Sequence, residues 1–165
     1  MTIQIVDNFL PVEQFKPIQS LLLGPEIAWF YNPYVVHENE NGTDSFQFTH
    51  TFFRPNIGPT SGHYDILQSC IEKLNVQVLI RCKANLNPVT SEPITRTFHT
   101  DYDIVGKTAI YYINTNNGFT IFEDGTKIES VENRMLIFNT HYKHTGITTT
   151  DTKARVLINF NYIPH

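Results

Sequence analysis

With 165 residues, 41 % of them apolar and 13 % aromatic, the chain is long enough to bury a core and reads as one globular domain, not a disordered segment. Its 12 Lys and Arg against 16 Asp and Glu give a net charge of −4, so nucleic-acid binding through the phosphates is not the expected role. The apolar runs are far too short to span a membrane, and the opening "MTIQIVDNFLPVEQF" lacks the basic-then-apolar pattern of a secretory signal, so a cytoplasmic protein is expected (host cytoplasm if viral).

In chain order, "IQIVDNFL" reads as a short strand and turn. "PVEQFKPIQSLLLG" follows as a helix, with Pro11 at its start, Gly24 as its stop and Pro17 as a possible kink. "IAWFYN" is a short aromatic strand candidate, and "NPYVVHENENGTDS", from Asn32 to Ser45, is a long polar loop. "FQFTHTFFR" has strand composition and "PNIGPTSG" breaks it. In "HYDILQSCIEKLN" the apolar positions Tyr64, Leu67, Cys70, Ile71 and Leu74 have helical spacing, the strongest in the chain. "VQVLIRCKANL" then alternates, with Val76, Val78, Ile80, Cys82 and Ala84 on one face.

The rest is strand-like: "KTAIYYIN", "GFTIFEDGTKIESV", "RMLIFN" and "KARVLINFNYI", with Asp124-Gly125 as a tight hairpin turn. Helices in the first half and strands in the second predict an α+β domain built on a β-sandwich or barrel. Cys70 and Cys82 form no ligand pattern; both are expected as buried thiols, although one disulfide stays open.

The chemistry concentrates in "FHTDYD", where His99 and Asp101 stand two apart. The motif is weak alone. Two further histidines, His141 and His144, follow in "FNTHYKHTG", and Arg155 comes eleven residues after His144. A His and a carboxylate from one strand end plus a distant His make a 2-His-1-carboxylate set. Such a set leaves coordination positions open and suits Fe(II) enzymes that activate oxygen. Zinc would need HExxH or clustered cysteines, and neither is present.

In "RVLINFNYI" one face carries Arg155, Leu157, Asn159 and Asn161, and the other is wholly apolar. Two readings of the polar face stay open. It is the solvent side of an edge strand, or it lines a barrel interior, where Arg155 would need an anion.

Together, "FHTDYD", "KTAIYYIN", "GFTIF", "RMLIFNTHYKHTG" and Arg155 in "ARVLINFNY" resemble the iron- and 2-oxoglutarate-dependent dioxygenases, in particular the prolyl 4-hydroxylase-like branch in its short phage and bacterial versions. The resemblance runs from about Ile80 to Ile163, with a weaker likeness at "IVDNFLPVEQF". It implies a double-stranded β-helix (jelly-roll, cupin-like) core. On that reading residues 1–165 form one dioxygenase domain, with helical support over about 1–75 and the core over about 76–165.

The resemblance also implies Fe(II) held by His99, Asp101 and His144, with 2-oxoglutarate and O2 as cosubstrates and ascorbate as a candidate reductant. Arg155 would hold the distal carboxylate of 2-oxoglutarate with help from Tyr112, and Asn159 would share that face. "HTG" fits the distal ligand better at His144 than at His141, without deciding it. Where many members carry two glycines before the strand, this chain has the single Gly118 of "NNGFTIF".

The expected reaction is hydroxylation of a C–H bond in a prolyl or other peptidyl side chain. A small molecule or free amino acid is the alternative substrate, and a non-catalytic metal-binding barrel the alternative class. Asn32 to Ser45 and Asn87 to Thr95 are the expected substrate-recognition segments, with "TSEPIT" as one rim of the cleft.

Overall fold

A computed structural model describes residues 2–35, 46–103 and 105–165. Eight strands form a major antiparallel sheet: β1 (Ile3–Val6), β2 (Phe30–Asn32), β3 (Gln47–Arg54), β4 (Gly58–Pro59), β5 (Val76–Pro88), β6 (Lys107–Tyr112), β9 (Arg134–Asn139) and β11 (Ala154–Pro164). Their order is β1-β9-β6-β11-β5-β3-β2, with β4 paired to β3. A minor sheet of β7 (Asn116–Phe122), β8 (Lys127–Ser130) and β10 (His144–Ile147) has the order β10-β7-β8.

Two helices, α1 (Val12–Leu23) and α2 (Gln68–Lys73), lie against the outer face of the major sheet. The fold therefore has two cores. Phe15, Ile18 and Leu22 of α1 pack on Tyr111, Met135, Val156, Ile158 and Phe160 of the major sheet. Between the sheets, Ile110, Tyr112, Leu136, Phe138 and Leu157 meet Phe122 and Ile128 of the minor sheet. Because successive side chains alternate in a strand, β11 serves both layers. Its apolar face belongs to the helical core, and Arg155, Leu157, Asn159 and Asn161 turn toward the minor sheet. The barrel-interior reading of that face is the one the structure adopts.

Four local expectations change. The first half of the chain is not mainly helical, since β1, β2 and β3 extend the major sheet at both edges. The segment read as the strongest helix opens as a 3₁₀ turn (Tyr64–Leu67) before the short α2. Its apolar spacing of 64, 67, 70 has the three-residue period of that tighter helix. The longer helix is α1, which continues through the exposed Pro17 while Phe15, Ile18 and Leu22 form its buried stripe. Lastly, β5 does not keep one phase. Asn161 pairs with Arg81 but Tyr162 with Leu79, so the pairing skips Ile80 in a bulge. Leu79 thus packs on the core while Val78 is exposed.

The Asp124-Gly125 hairpin forms as expected. Gly125 has φ +86°, which favours glycine, and its N–H donates to the Phe122 carbonyl at 2.9 Å. Cys70 and Cys82 are both buried free thiols. Among the described residues, no helix is long and apolar enough to cross a membrane.

Candidate active site

His99 and His144 are brought together by the backbone. Each N–H donates to the other's carbonyl at 3.0 Å, in an antiparallel bridge just beyond the minor sheet. Residues directly opposite in such a pair project to the same face, and the two imidazole centroids are 4.9 Å apart. The Nδ1 atoms of His99 and His144 lie 3.2 Å from the carbonyls of Thr97 and Tyr142, respectively. A carbonyl only accepts, so each ring holds its proton on Nδ1 and leaves the Nε2 lone pair free. Phe138 and Phe122 pack against the His144 ring at 4.8 and 6.0 Å. Burial keeps the His144 pKa below the ordinary histidine value despite the pull of Asp101, so the neutral, ligand-competent imidazole is favoured.

Asp101 lies two residues beyond His99, with its Oδ1 3.8 Å from His99 Nε2. Burial alone would raise its pKa. His144, Arg81, His99 and an N–H donated by Asn161 (3.1 Å) outweigh that, holding the carboxyl below the usual carboxylate range. One potential ligand atom from each of His99, Asp101 and His144 lies within 4.8 Å of the others. His141 is exposed, meets the Tyr142 ring edge-on and is not part of this cluster.

The cluster opens into a cavity of about 210 Å³ between the sheets. Arg155 enters it from the major sheet and is 3 % exposed. Its Nε donates to Ser130 Oγ at 2.9 Å and its Nη2 to Thr120 Oγ1 at 3.0 Å. Among the described residues no carboxylate pairs with it. Gly118 and Gly146 make room for it. A Cβ at Gly118 would lie 2.8 Å from Arg155 Cδ and from the Ile147 carbonyl oxygen, and one at Gly146 would lie 3.1 Å from Nη1. The single glycine of "NNGFTIF" is therefore where the arginine stem passes.

Tyr112 stands one step back. It is fully buried, donates its hydroxyl to Thr120 Oγ1 at 2.8 Å and does not line the cavity. Thr120 accepts from both Tyr112 and Arg155, so its own proton is free to point into the cavity. Asn159 does line the cavity. Among the described residues its Oδ1 is buried without a hydrogen bond, as are Asn85 Oδ1 and Thr145 Oγ1, and all three residues face this one space. Orphaned buried polar atoms, a guanidinium without a carboxylate and a cluster of two imidazoles with an ionised Asp101 together fit a divalent metal with a polar, anionic ligand beside it.

Sequence reading missed Thr120, Ser130, Arg81 and Lys83. The last two lay in plain view. On β5, Arg81, Lys83, Asn85 and Asn87 share the cavity face, but the apolar half of the alternation drew the reading. Of the expected recognition segments, residues 90–96 run along β10, where Ile94 N–H donates to Thr148 Oγ1 at 2.9 Å and Thr95 pairs with Ile147. Arg96 and Thr148 line the cavity on this side. Residues 36–45 of the other segment lie outside the described residues.

No protein-family model matches the sequence, and no curated protein matches it. Solved structures do match the fold. A prolyl hydroxylase from Trichoplax adhaerens, solved in complex with a hypoxia-inducible-factor peptide, is 17 % identical, with a TM-score of 0.64 over 98 % of this chain and 83 % of its own. A viral collagen prolyl hydroxylase of Paramecium Bursaria Chlorella virus-1, solved with 2-oxoglutarate, is 13 % identical, with a TM-score of 0.64 over 98 % and 95 %. A 2OG-Fe(II) oxygenase family protein of Burkholderia pseudomallei is 8 % identical, with a TM-score of 0.68 over 99 % and 86 %. The chain thus has the double-stranded β-helix fold of these oxygenases.

Proposed function

We propose that this protein is an Fe(II)- and 2-oxoglutarate-dependent dioxygenase that hydroxylates a C–H bond, with all 165 residues forming its one catalytic domain. The observation that carries the reading is Arg155, a buried cation without a carboxylate among the described residues, facing the same cavity as His99, Asp101 and His144. A module that merely holds a metal has no use for such a guanidinium, whose burial without a partner is costly.

His99, Asp101 and His144 would hold iron through two Nε2 atoms and one carboxylate oxygen. When bound, the metal supplies O2-dependent oxidation coupled to decarboxylation, so that substrate C–H, O2 and 2-oxoglutarate give C–OH, succinate and CO2. Arg155 anchors the distal carboxylate of 2-oxoglutarate, and its planar fork suits bidentate recognition. Thr120 donates its hydroxyl proton to the same carboxylate and is itself held by Tyr112. Asn159 offers a carboxamide from the same face of β11 as Arg155. Asn161 and Arg81 orient Asp101, and Phe122 and Phe138 keep water from the His144 ring.

The peptide bound to the Trichoplax adhaerens prolyl hydroxylase supports a prolyl or other peptidyl side chain as substrate. The cavity's surplus of cations favours a small acid or free amino acid instead. The test is anaerobic addition of 2-oxoglutarate to the Fe(II) protein, followed by succinate measurement under O2 across proline-rich peptides, free amino acids and methylated nucleic acids. A visible charge-transfer band that appears only with both components supports the assignment. Its absence with metal bound refutes it.

A further inference from the structure

The cavity carries the opposite charge to the protein. Acidic residues outnumber basic ones 16 to 12 in the chain, yet among the described residues the cavity wall bears Arg81, Lys83 and Arg155 against the one carboxylate of Asp101. The proposed reaction components neutralise only part of this. Iron(II), Asp101, the two carboxylates of 2-oxoglutarate and Arg155 sum to zero. Arg81 already shares Asp101, at 3.5 Å, and stacks over the Tyr102 ring.

Lys83 is left over. Among the described residues its ammonium makes no hydrogen bond and no ion pair. Burial, with repulsion from Arg81, outweighs the pull of Asp101 and lowers its pKa to about 8, so it is still mainly cationic at neutral pH. It stands on β5 between Arg81 and Asn85, whose side chains project to the same face, and opposite Asn159. The Asn85 side chain makes no hydrogen bond among the described residues and can turn an amide N–H to an incoming anion. Arg155 pairs with Asn87, four residues along from Lys83. That is roughly 13 Å of strand, and the Arg155 head group is turned to Ser130 and Thr120 of the minor sheet, so the two cations stand at different places on the wall.

We propose that the primary substrate carries a carboxylate and that Lys83, flanked by Arg81 and Asn85, receives it. The proposal rests on the dioxygenase reading and gives it a substrate class. A free amino acid and an acidic side chain in a peptide present the same group, and the probes separate them.

The probes are L-proline, L-glutamate and the capped peptide acetyl-Ala-Pro-Glu-Ala-amide, each paired with the counterpart in which the carboxylate is a carboxamide. Binding is read by saturation-transfer NMR on the Zn(II)-substituted protein with 2-oxoglutarate, and again on the metal-free protein. At least one acid should bind about tenfold or more tightly than its amide, the worth of a charge-assisted hydrogen bond. Lys83→Met should erase that preference while the affinity for 2-oxoglutarate stays within about twofold, well below that tenfold step. Acids that bind no better than amides, or not at all, overturn the proposal, as does a preference that survives Lys83→Met. A large loss of 2-oxoglutarate affinity in Lys83→Met also overturns it, by assigning the lysine to the cosubstrate. Failure of the dioxygenase reading would show separately, as parent protein that binds metal but not 2-oxoglutarate.

Discussion

Replacing Arg155 by Met should separate cosubstrate binding from stability. Met roughly preserves the length of the stem that passes Gly118 and Gly146 but removes the charge. Truncating one side of a desolvated charge pair costs about 2–5 kcal/mol, so 2-oxoglutarate should bind about 30-fold to 4,000-fold more weakly. The ligand-free protein should behave in the opposite way. It now buries a cation whose partners among the described residues are the hydroxyls of Ser130 and Thr120 and the ring of Tyr112. Exchanging such a charge for an apolar side chain is typically neutral or stabilising, by up to about 4 kcal/mol. Iron should still bind, since no ligand is touched.

Urea unfolding with and without 2-oxoglutarate reads both effects. At 100 times the parent's Kd the cosubstrate should stabilise the parent by about 2.7 kcal/mol and the variant by less than about 0.9 kcal/mol. A variant that binds 2-oxoglutarate as the parent does refutes the anchor. A ligand-free variant destabilised by about 3 kcal/mol or more would instead make Arg155 a structural strut, the loss expected on breaking a buried pair.

His144→Ala should abolish tight Fe(II) binding in an anaerobic titration, while His141→Ala, outside the cluster, should leave it unchanged. Thr120→Val should weaken 2-oxoglutarate by about 1.5–3 kcal/mol, the worth of a hydrogen bond to a charged group, and Tyr112→Phe, which acts only through Thr120, by less, as calorimetry would show. Gly118→Ala should cost about 1–3 kcal/mol in urea unfolding and loosen 2-oxoglutarate, because its Cβ meets the Ile147 carbonyl and the Arg155 stem. Lys83 has a folded-state pKa of about 8 against an ordinary 10.5. Below pH 8 it is charged in both states and the burial penalty is present in full; between the two values the folded protein releases its proton first and stability rises. Lys83→Met should therefore stabilise the ligand-free protein at pH 7, by at most about 3 kcal/mol, with the advantage shrinking by pH 10.

What the sequence made legible follows from local rules. The alternation of β11 located Arg155, Asn159 and both of its faces, because period two is a property of the strand alone. His99 and Asp101 were visible as neighbours in the chain, and the Asp124-Gly125 turn as a dipeptide. What stayed hidden depends on pairing between distant segments. The bulge at Ile80 exists only in the register of β5 against β11. The stretch "HTGI" shows no apolar alternation and becomes β10 through its pairing with β7. Thr120 looks like any strand threonine until Tyr112 and Arg155 converge on it.

The bridge between His99 and His144 also orders events during folding. The two residues are 45 positions apart, and their rings face each other only after β10 has paired with β7 and the 95–99 segment has paired with β10. Of these three ligands the unfolded chain keeps only His99 and Asp101 close together, since closing a loop of that length is entropically unfavourable before native contacts repay it. In a zinc finger, ligands close in sequence let the ion nucleate the structure. Here the ion would enter a finished cradle. Added metal should then slow unfolding and leave the rate of refolding untouched.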